Sequence, residues 1–241
     1  MKEKIYTIPV TESFEQESEC PFCYLEEKLE REAVEYALGA AMMEPDFRIV
    51  SNEKGYCRRH FTQMINSPNK LSLALVLDTH LKEITEKLEK QKKSAPQKKG
   101  GMFSKQKPEE KIISDCADLS EKCVVCDKIN ETMERYFNVF YYMLENDEAF
   151  KARVLNSKGF CLRHFPKIVE GAYKNMKQPQ EFISKIYENE IENLKRINAD
   201  VHKFTLKFDY RNRDMELGEA ADAPQRAVQK LRGYIAEEFK K

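Results

Sequence analysis

"NEKGYCRRHF" occupies residues 52–61, and "NSKGFCLRHF" occupies residues 156–165. Nearly the same ten residues stand twice in one chain, each time with a cysteine three positions ahead of a histidine. Reading outward, each box has a CxxC pair upstream: "CPFC" at 20–23 and "CVVC" at 123–126. The two CxxC pairs are 103 residues apart and the two CxxH pairs 104. The order CxxC, long spacer, GxCxxH therefore occurs twice with one residue of slippage, the mark of a repeated structural unit.

The spacers agree in character. After Cys23, apolar residues fall at Leu25, Leu29, Ala33, Tyr36, Ala40 and Met43; after Cys126 they fall at Ile129, Met133, Phe137, Phe140 and Leu144. Steps of three and four mark one face of a helix. Pro45 is expected to stop the first helix and "ENDEAF" at 145–150 the second, each giving way to a short connection. Gly55 and Gly159 stand immediately before the aromatic-Cys of each box, where a sharp turn is expected. Downstream, Leu71, Leu75, Leu77, Leu81, Ile84 and Leu88 form one stripe; Phe182, Ile186, Ile191, Leu194, Ile197, Val201, Phe204 and Phe208 form a longer one. "DAPQRAVQKLRGYIAEEF" at 222–239 reads as a last helix, with Asp222 as N-cap and Pro224 in the first turn.

These signals predict an all-α chain: a tandem duplication of a helical unit, plus a C-terminal helix. The expected division is a first unit over 1–91, a Lys-rich linker over 92–111, a second unit over 112–210, and a tail with its helix over 211–241. The linker holds seven Lys against two Glu and shows no periodicity, so it reads as a solvated tether.

Composition excludes several classes. Lys plus Arg and Asp plus Glu are both 41, giving zero formal net charge, which argues against whole-surface attraction to nucleic acid or acidic membranes. The first twenty residues lack the apolar stretch of a signal peptide, and the longest apolar run, "LSLALVL" at 71–77, is too short to span a bilayer. A cytoplasmic location is expected, with protein partners rather than nucleic acid or membrane. In a reducing compartment seven cysteines point to metal ligation or redox chemistry rather than structural disulfides.

A CxxC pair presents two thiolates from one turn, and a CxxH pair presents a thiolate and an imidazole. Together they make a Cys₃His set, a closed tetrahedral zinc site. The matched spacers, 33 residues between Cys23 and Cys57 and 34 between Cys126 and Cys161, favour pairing within each repeat. That assigns Cys20, Cys23, Cys57 and His60 to one site and Cys123, Cys126, Cys161 and His164 to the other, with two zinc ions per chain. A swapped arrangement, each CxxC completed by the other repeat's CxxH, is the alternative. Arg59 and Arg163 each precede the ligand His, and offer either a second shell of donors to a negatively charged site or a solvent-facing side chain.

Other chemistry competes for these residues. Iron–sulfur clusters mostly use four cysteines. "CPFC" resembles a glutaredoxin tetrapeptide, but that motif follows a strand, and no strand pattern surrounds it here. Four protein ligands leave no open coordination position for catalysis, and no Walker, GxGxxG, HExxH or GxSxG motif is present. Acid pairs such as Glu26-Glu27 and Glu237-Glu238 read as solvated faces, His80 and His202 as ordinary helix residues, and Cys116 as a buried thiol.

The boxes "CPFC", "KGYCRRHF", "CVVC" and "KGFCLRHF", spread over residues 15–210, resemble a family of uncharacterised bacterial proteins of similar length that carry CPxC followed by GxCxxH and are grouped as a domain of unknown function. The resemblance implies no activity. "CVVC" departs from CPxC at its second position, which is not a ligand. The leading expectation is an intracellular adaptor built on structural zinc. Its alternatives are a redox-responsive thiol protein using the CPFC cysteines and a nucleic-acid-associated regulator using the Lys-rich linker.

Overall fold

A computed structural model describes residues 3–94, 113–114, 117 and 122–234. Most of the expected linker, Cys116, the Glu237-Glu238 pair and the end of the expected last helix lie outside the described residues. Among the described residues every regular element is helical: α1 (Thr7–Ser13), α2 (Pro21–Ala37), α3 (Pro45–Lys54), α4 (Arg58–Asn66), α5 (Lys70–Ser94), α6 (Val124–Asn146), α7 (Glu148–Leu155), α8 (Phe165–Asn175), α9 (Pro179–Leu206) and α10 (Ala223–Arg232), with short 3-10 turns between some of them. The all-α expectation holds. No described helix is long and apolar enough to cross a membrane.

The division of the chain differs from the one expected. One unit comprises residues 1–29 with 131–241, and the other comprises residues 30–130; the boundaries fall inside α2 and α6. Each unit thus takes material from both sequence repeats. Among the described residues, 211–234 fall in the first of these units.

In the unit of residues 1–29 and 131–241 the core is aromatic. Phe22 stacks on Phe137 at 4.4 Å and meets Phe140 edge-on at 5.3 Å, and Phe14 stacks on Phe140 at 5.9 Å and meets Phe150 and Phe160 edge-on. Phe22, Phe140 and Phe160 are fully buried. Each such side chain contributes about 1.5–3 kcal/mol by leaving water, and the edge-on geometry adds to it. The apolar stripe read along α6 is this face, since Met133, Phe140 and Leu144 are buried on it. On α9, Phe182, Ile183, Ile186 and Ile197 are buried, while Ile191 of the expected stripe is exposed, as is Phe208 beyond the helix end. α10 packs along α9, with Asp222 at its N-cap and a proline in its first turn as expected. The Asp222 carboxylate makes no capping bond and instead pairs with Arg226, 2.8 Å away.

In the unit of residues 30–130, α3 and α4 pack on α5. Val34, Ala37, Leu38, Ala41, Tyr56, Met64, Leu73 and Val76 form the core. Here the sequence pattern misleads. Leu71, Leu75, Leu81 and Leu88, read as the packing stripe of α5, are exposed; the buried face is Leu73, Val76 and His80. That face is also spaced at three and four, and its histidine disguises it as polar. Pro45 does not merely stop a helix: it starts α3 in the first turn, where its missing N–H costs nothing. Likewise Asp147 caps α7 by accepting the Phe150 N–H at 3.0 Å. A short helix therefore stands where a plain connection was expected before each KG-aromatic-Cys box.

Candidate metal centres

The ligand-type residues are positioned by helix starts. Cys20 lies just before α2, and Cys23 sits in its first turn, its N–H donating to the Cys20 carbonyl at 3.0 Å. Cys57 is the N-cap of α4, and His60 stands in that helix's first turn. Cys161 and His164 form a turn that leads into α8, the His164 N–H donating to Cys161 O at 2.9 Å.

Both KG turns are built alike. Gly55 and Gly159 have φ of 66° and 76°, a conformation that glycine adopts freely and other residues rarely do. Both also allow a close approach. A Cβ on Gly55 would lie 2.5 Å from His80 Nε2, and one on Gly159 would lie 3.0 Å from Lys230 Nζ. His80 is thus no ordinary helix residue: it is buried, and its Nδ1 bonds the Asn52 carbonyl at 2.8 Å, holding the end of α3. At Gly159 the same place is taken by Glu190 and Lys230, a buried ion pair 3.1 Å apart. Glu190 accepts the Phe160 N–H at 2.9 Å, and Lys230 donates to the Lys158 carbonyl at 2.6 Å. Burial pushes the Glu190 carboxyl up, against the pull of Lys230. His202 is exposed on α9.

The eight cysteines and histidines singled out in the sequence converge in two sets of four, but not in the pairing that the spacers favoured. Cys20 and Cys23 meet Cys161 and His164, while Cys57 and His60 meet Cys123 and Cys126; within each set the ligand atoms all lie within 4.8 Å of one another. The swapped arrangement is what the structure brings together. The reason is the chain division: each CxxC shares a packed unit with the other repeat's CxxH.

The donor geometry fits a tetrahedral ion. Around zinc, with bonds of about 2.3 Å to sulfur and 2.0–2.1 Å to nitrogen, tetrahedral angles put sulfurs about 3.8 Å apart and sulfur about 3.6 Å from nitrogen. In the first set His164 Nδ1 lies 3.5 Å from Cys20 Sγ, 3.6 Å from Cys23 Sγ and 3.4 Å from Cys161 Sγ, and Cys23 Sγ lies 3.4 Å from Cys161 Sγ. In the second, His60 Nδ1 lies 3.2 Å from Cys57 Sγ, 3.2 Å from Cys123 Sγ and 3.5 Å from Cys126 Sγ, and Cys57 Sγ lies 3.8 Å from Cys126 Sγ.

The electrostatics point the same way. A hydrogen bond from Cys126 holds the Cys123 thiol down at about 3, and the reciprocal contact pushes Cys126 up. Hydrogen bonds from Cys20 and Cys23 hold Cys161 well below the ordinary thiol range; burial lifts Cys20 to about 12, and the contact with Cys161 lifts Cys23. Three thiols this close cannot all ionise by themselves. A bound dication removes the repulsion and lets all three act as thiolates. Each set can hold a metal ion, and the ligand types are those of zinc.

Each ligand histidine turns its other nitrogen to a carboxylate. His60 Nε2 is 3.0 Å from Glu30, which also pairs with Arg59 at 2.5 Å. His164 Nε2 is 3.7 Å from Glu26, which pairs with Arg163. At 3.0 Å Glu30 orients the His60 ring and raises its basicity as a ligand, whereas Glu26, at 3.7 Å, stands beyond hydrogen-bond reach of His164. Arg59 and Arg163 thus each pair with the glutamate beside their histidine, and Arg163 Nη2 also lies 3.4 Å from His164 Nε2. Glu26 corrects the reading of a solvated face: its side chain is 14% exposed. Sequence reasoning missed Glu26, Glu30, Glu190 and Lys230, because each is one charged residue among many on a helix.

The chain belongs to a family of unknown function (DUF6062), whose model matches residues 1–238. No curated protein and no solved structure matches it.

Proposed function

We propose that this protein is an intracellular adaptor whose two units are each held together by one structural zinc ion. The observation that carries this reading is the convergence of four soft donors in each unit, from segments far apart in sequence: Cys23 and Cys161 are 138 residues apart, and Cys57 and Cys126 are 69. An ion that ties such distant segments contributes its binding free energy to folding. Four protein donors leave no position for water or substrate, so the ions serve the fold rather than a reaction. The exposed Leu71, Leu75, Leu81 and Leu88 of α5 are side chains of the kind an adaptor offers a protein partner. The CPFC redox reading is disfavoured by the complete burial of Cys20 and Cys23.

Elemental analysis of the purified protein tests the metal, with two zinc ions per chain expected. Chelation under non-reducing and reducing conditions alike should cost helicity. Iron with visible absorbance, or a chain that keeps its melting curve after both ions are removed, contradicts the reading.

A further inference from the structure

The two centres are closed to different degrees. In the set of residues 20, 23, 161 and 164 all four residues are 0% exposed. His164 lies among aromatic rings, 5.9 Å from Phe22 and 6.2 Å from Phe137. The C-terminal helix completes the cover. Gln229 donates to the Ser18 hydroxyl at 3.3 Å, and the Lys230 carbonyl accepts the Leu162 N–H at 2.8 Å. α10 then ends at Gly233, so close that a Cβ there would lie 3.6 Å from Cys23 Sγ. In the other set His60 and Cys123 are 2% exposed, but Cys57 and Cys126 are only partly buried. Among the described residues nothing covers those two sulfurs as α10 covers the first set.

We propose that the centre built by Cys57, His60, Cys123 and Cys126 is the exchangeable one, and that Cys57 and Cys126 are the thiolates at which soft electrophiles and competing thiophilic metal ions attack. This rests on the reading that both centres hold zinc. Reactivity of a cysteine follows thiolate character and access, and zinc supplies the first in both centres while only this one supplies the second. In the reaction with a maleimide, the cysteine sulfur adds to the alkene carbon and forms a carbon–sulfur bond. The alkene electron pair moves to the neighbouring carbon, which takes a proton from water. The sulfur becomes a thioether, its bond to the ion breaks, and the centre is left with three donors. The assignment places the reactive thiolates away from CPFC, the pair singled out by the alternative redox reading of the sequence.

The test uses the full-length, zinc-loaded protein with limiting N-ethylmaleimide and a chromogenic zinc chelator, followed by peptide mapping. Cys57 and Cys126 should be labelled first, with one equivalent of zinc released alongside them, on the order of tenfold or more faster than the second. Mapping reads Cys116 separately, and its labelling should release no zinc. The Lys230→Met variant, which loosens α10, should speed release of the second equivalent and leave the first unchanged. Labelling of Cys20, Cys23 or Cys161 at the same rate as Cys57, or release of both ions together, overturns the inference while leaving two structural ions in place. A protein that holds no zinc before labelling overturns the reading beneath it.

Discussion

Lys230→Met tests the buried support of the Cys161 turn. Lys230 is 0% exposed, pairs with Glu190 at 3.1 Å and donates to the Lys158 carbonyl at 2.6 Å. Methionine keeps most of the volume and removes the charge, leaving Glu190 buried without its counter-ion. Removing one partner of a buried pair costs about 3–5 kcal/mol, because the remaining charge has lost both water and its partner. The Glu190 carboxyl is already raised by burial, and losing Lys230 removes an influence that lowers it. A raised carboxyl contributes stability that is fully present below its unfolded pKa and lost as pH rises through its folded value. The loss in Lys230→Met should therefore be larger at pH 8 than at pH 5.5, where Glu190 can take up a proton. The double variant Glu190→Gln with Lys230→Met should be less damaged than Lys230→Met alone at pH 8. Urea unfolding of the two variants and the parent at both pH values, each with zinc in excess, provides the differences. A Lys230→Met variant as stable as the parent, or equally destabilised at both pH values, would refute the argument.

Other consequences are simpler to state. Gly55→Ala meets both a positive φ and the His80 ring, and should cost about 1–3 kcal/mol in thermal unfolding; a melting temperature equal to the parent's would show that the turn tolerates a side chain. Glu30→Gln removes the carboxylate behind His60 and should weaken zinc at that centre by about 10–100-fold in a chelator competition, with the other centre unchanged. An unchanged affinity there would reduce Glu30 to an ion-pair partner of Arg59.

The eight ligand-type residues and the helical class were legible because spacing and periodicity are local signals. The pairing was not. Either CxxH completes either CxxC in donor chemistry, and the preference for short loops is weak. Closing a 138-residue separation rather than one near 34 is two doublings, or roughly 1 kcal/mol, which the packing of Phe22 on Phe137 and Phe140 easily exceeds. The α5 face was misread for a related reason. His80 occupies a core position and Leu71 and Leu81 face solvent, so hydrophobicity alone selects the wrong side. Glu26 and Glu30 had no pattern to set them apart from the surface acids of α2. The short helices α3 and α7 were hidden because Pro45 and Asp147 serve as helix starts as readily as they serve as stops.

The pairing itself is the central claim, and Cys161→Ser tests it most directly. The variant is purified with zinc present, pulsed with iodoacetamide under native conditions, and mapped by mass spectrometry beside the parent. The convergence of Cys161 with Cys20, Cys23 and His164 predicts that Cys20 and Cys23 lose protection and one zinc ion is lost, while Cys123 keeps the protection it has in the parent. Loss of protection at Cys123 and Cys126, with Cys20 and Cys23 still shielded, would restore the pairing within each repeat and contradict the structure.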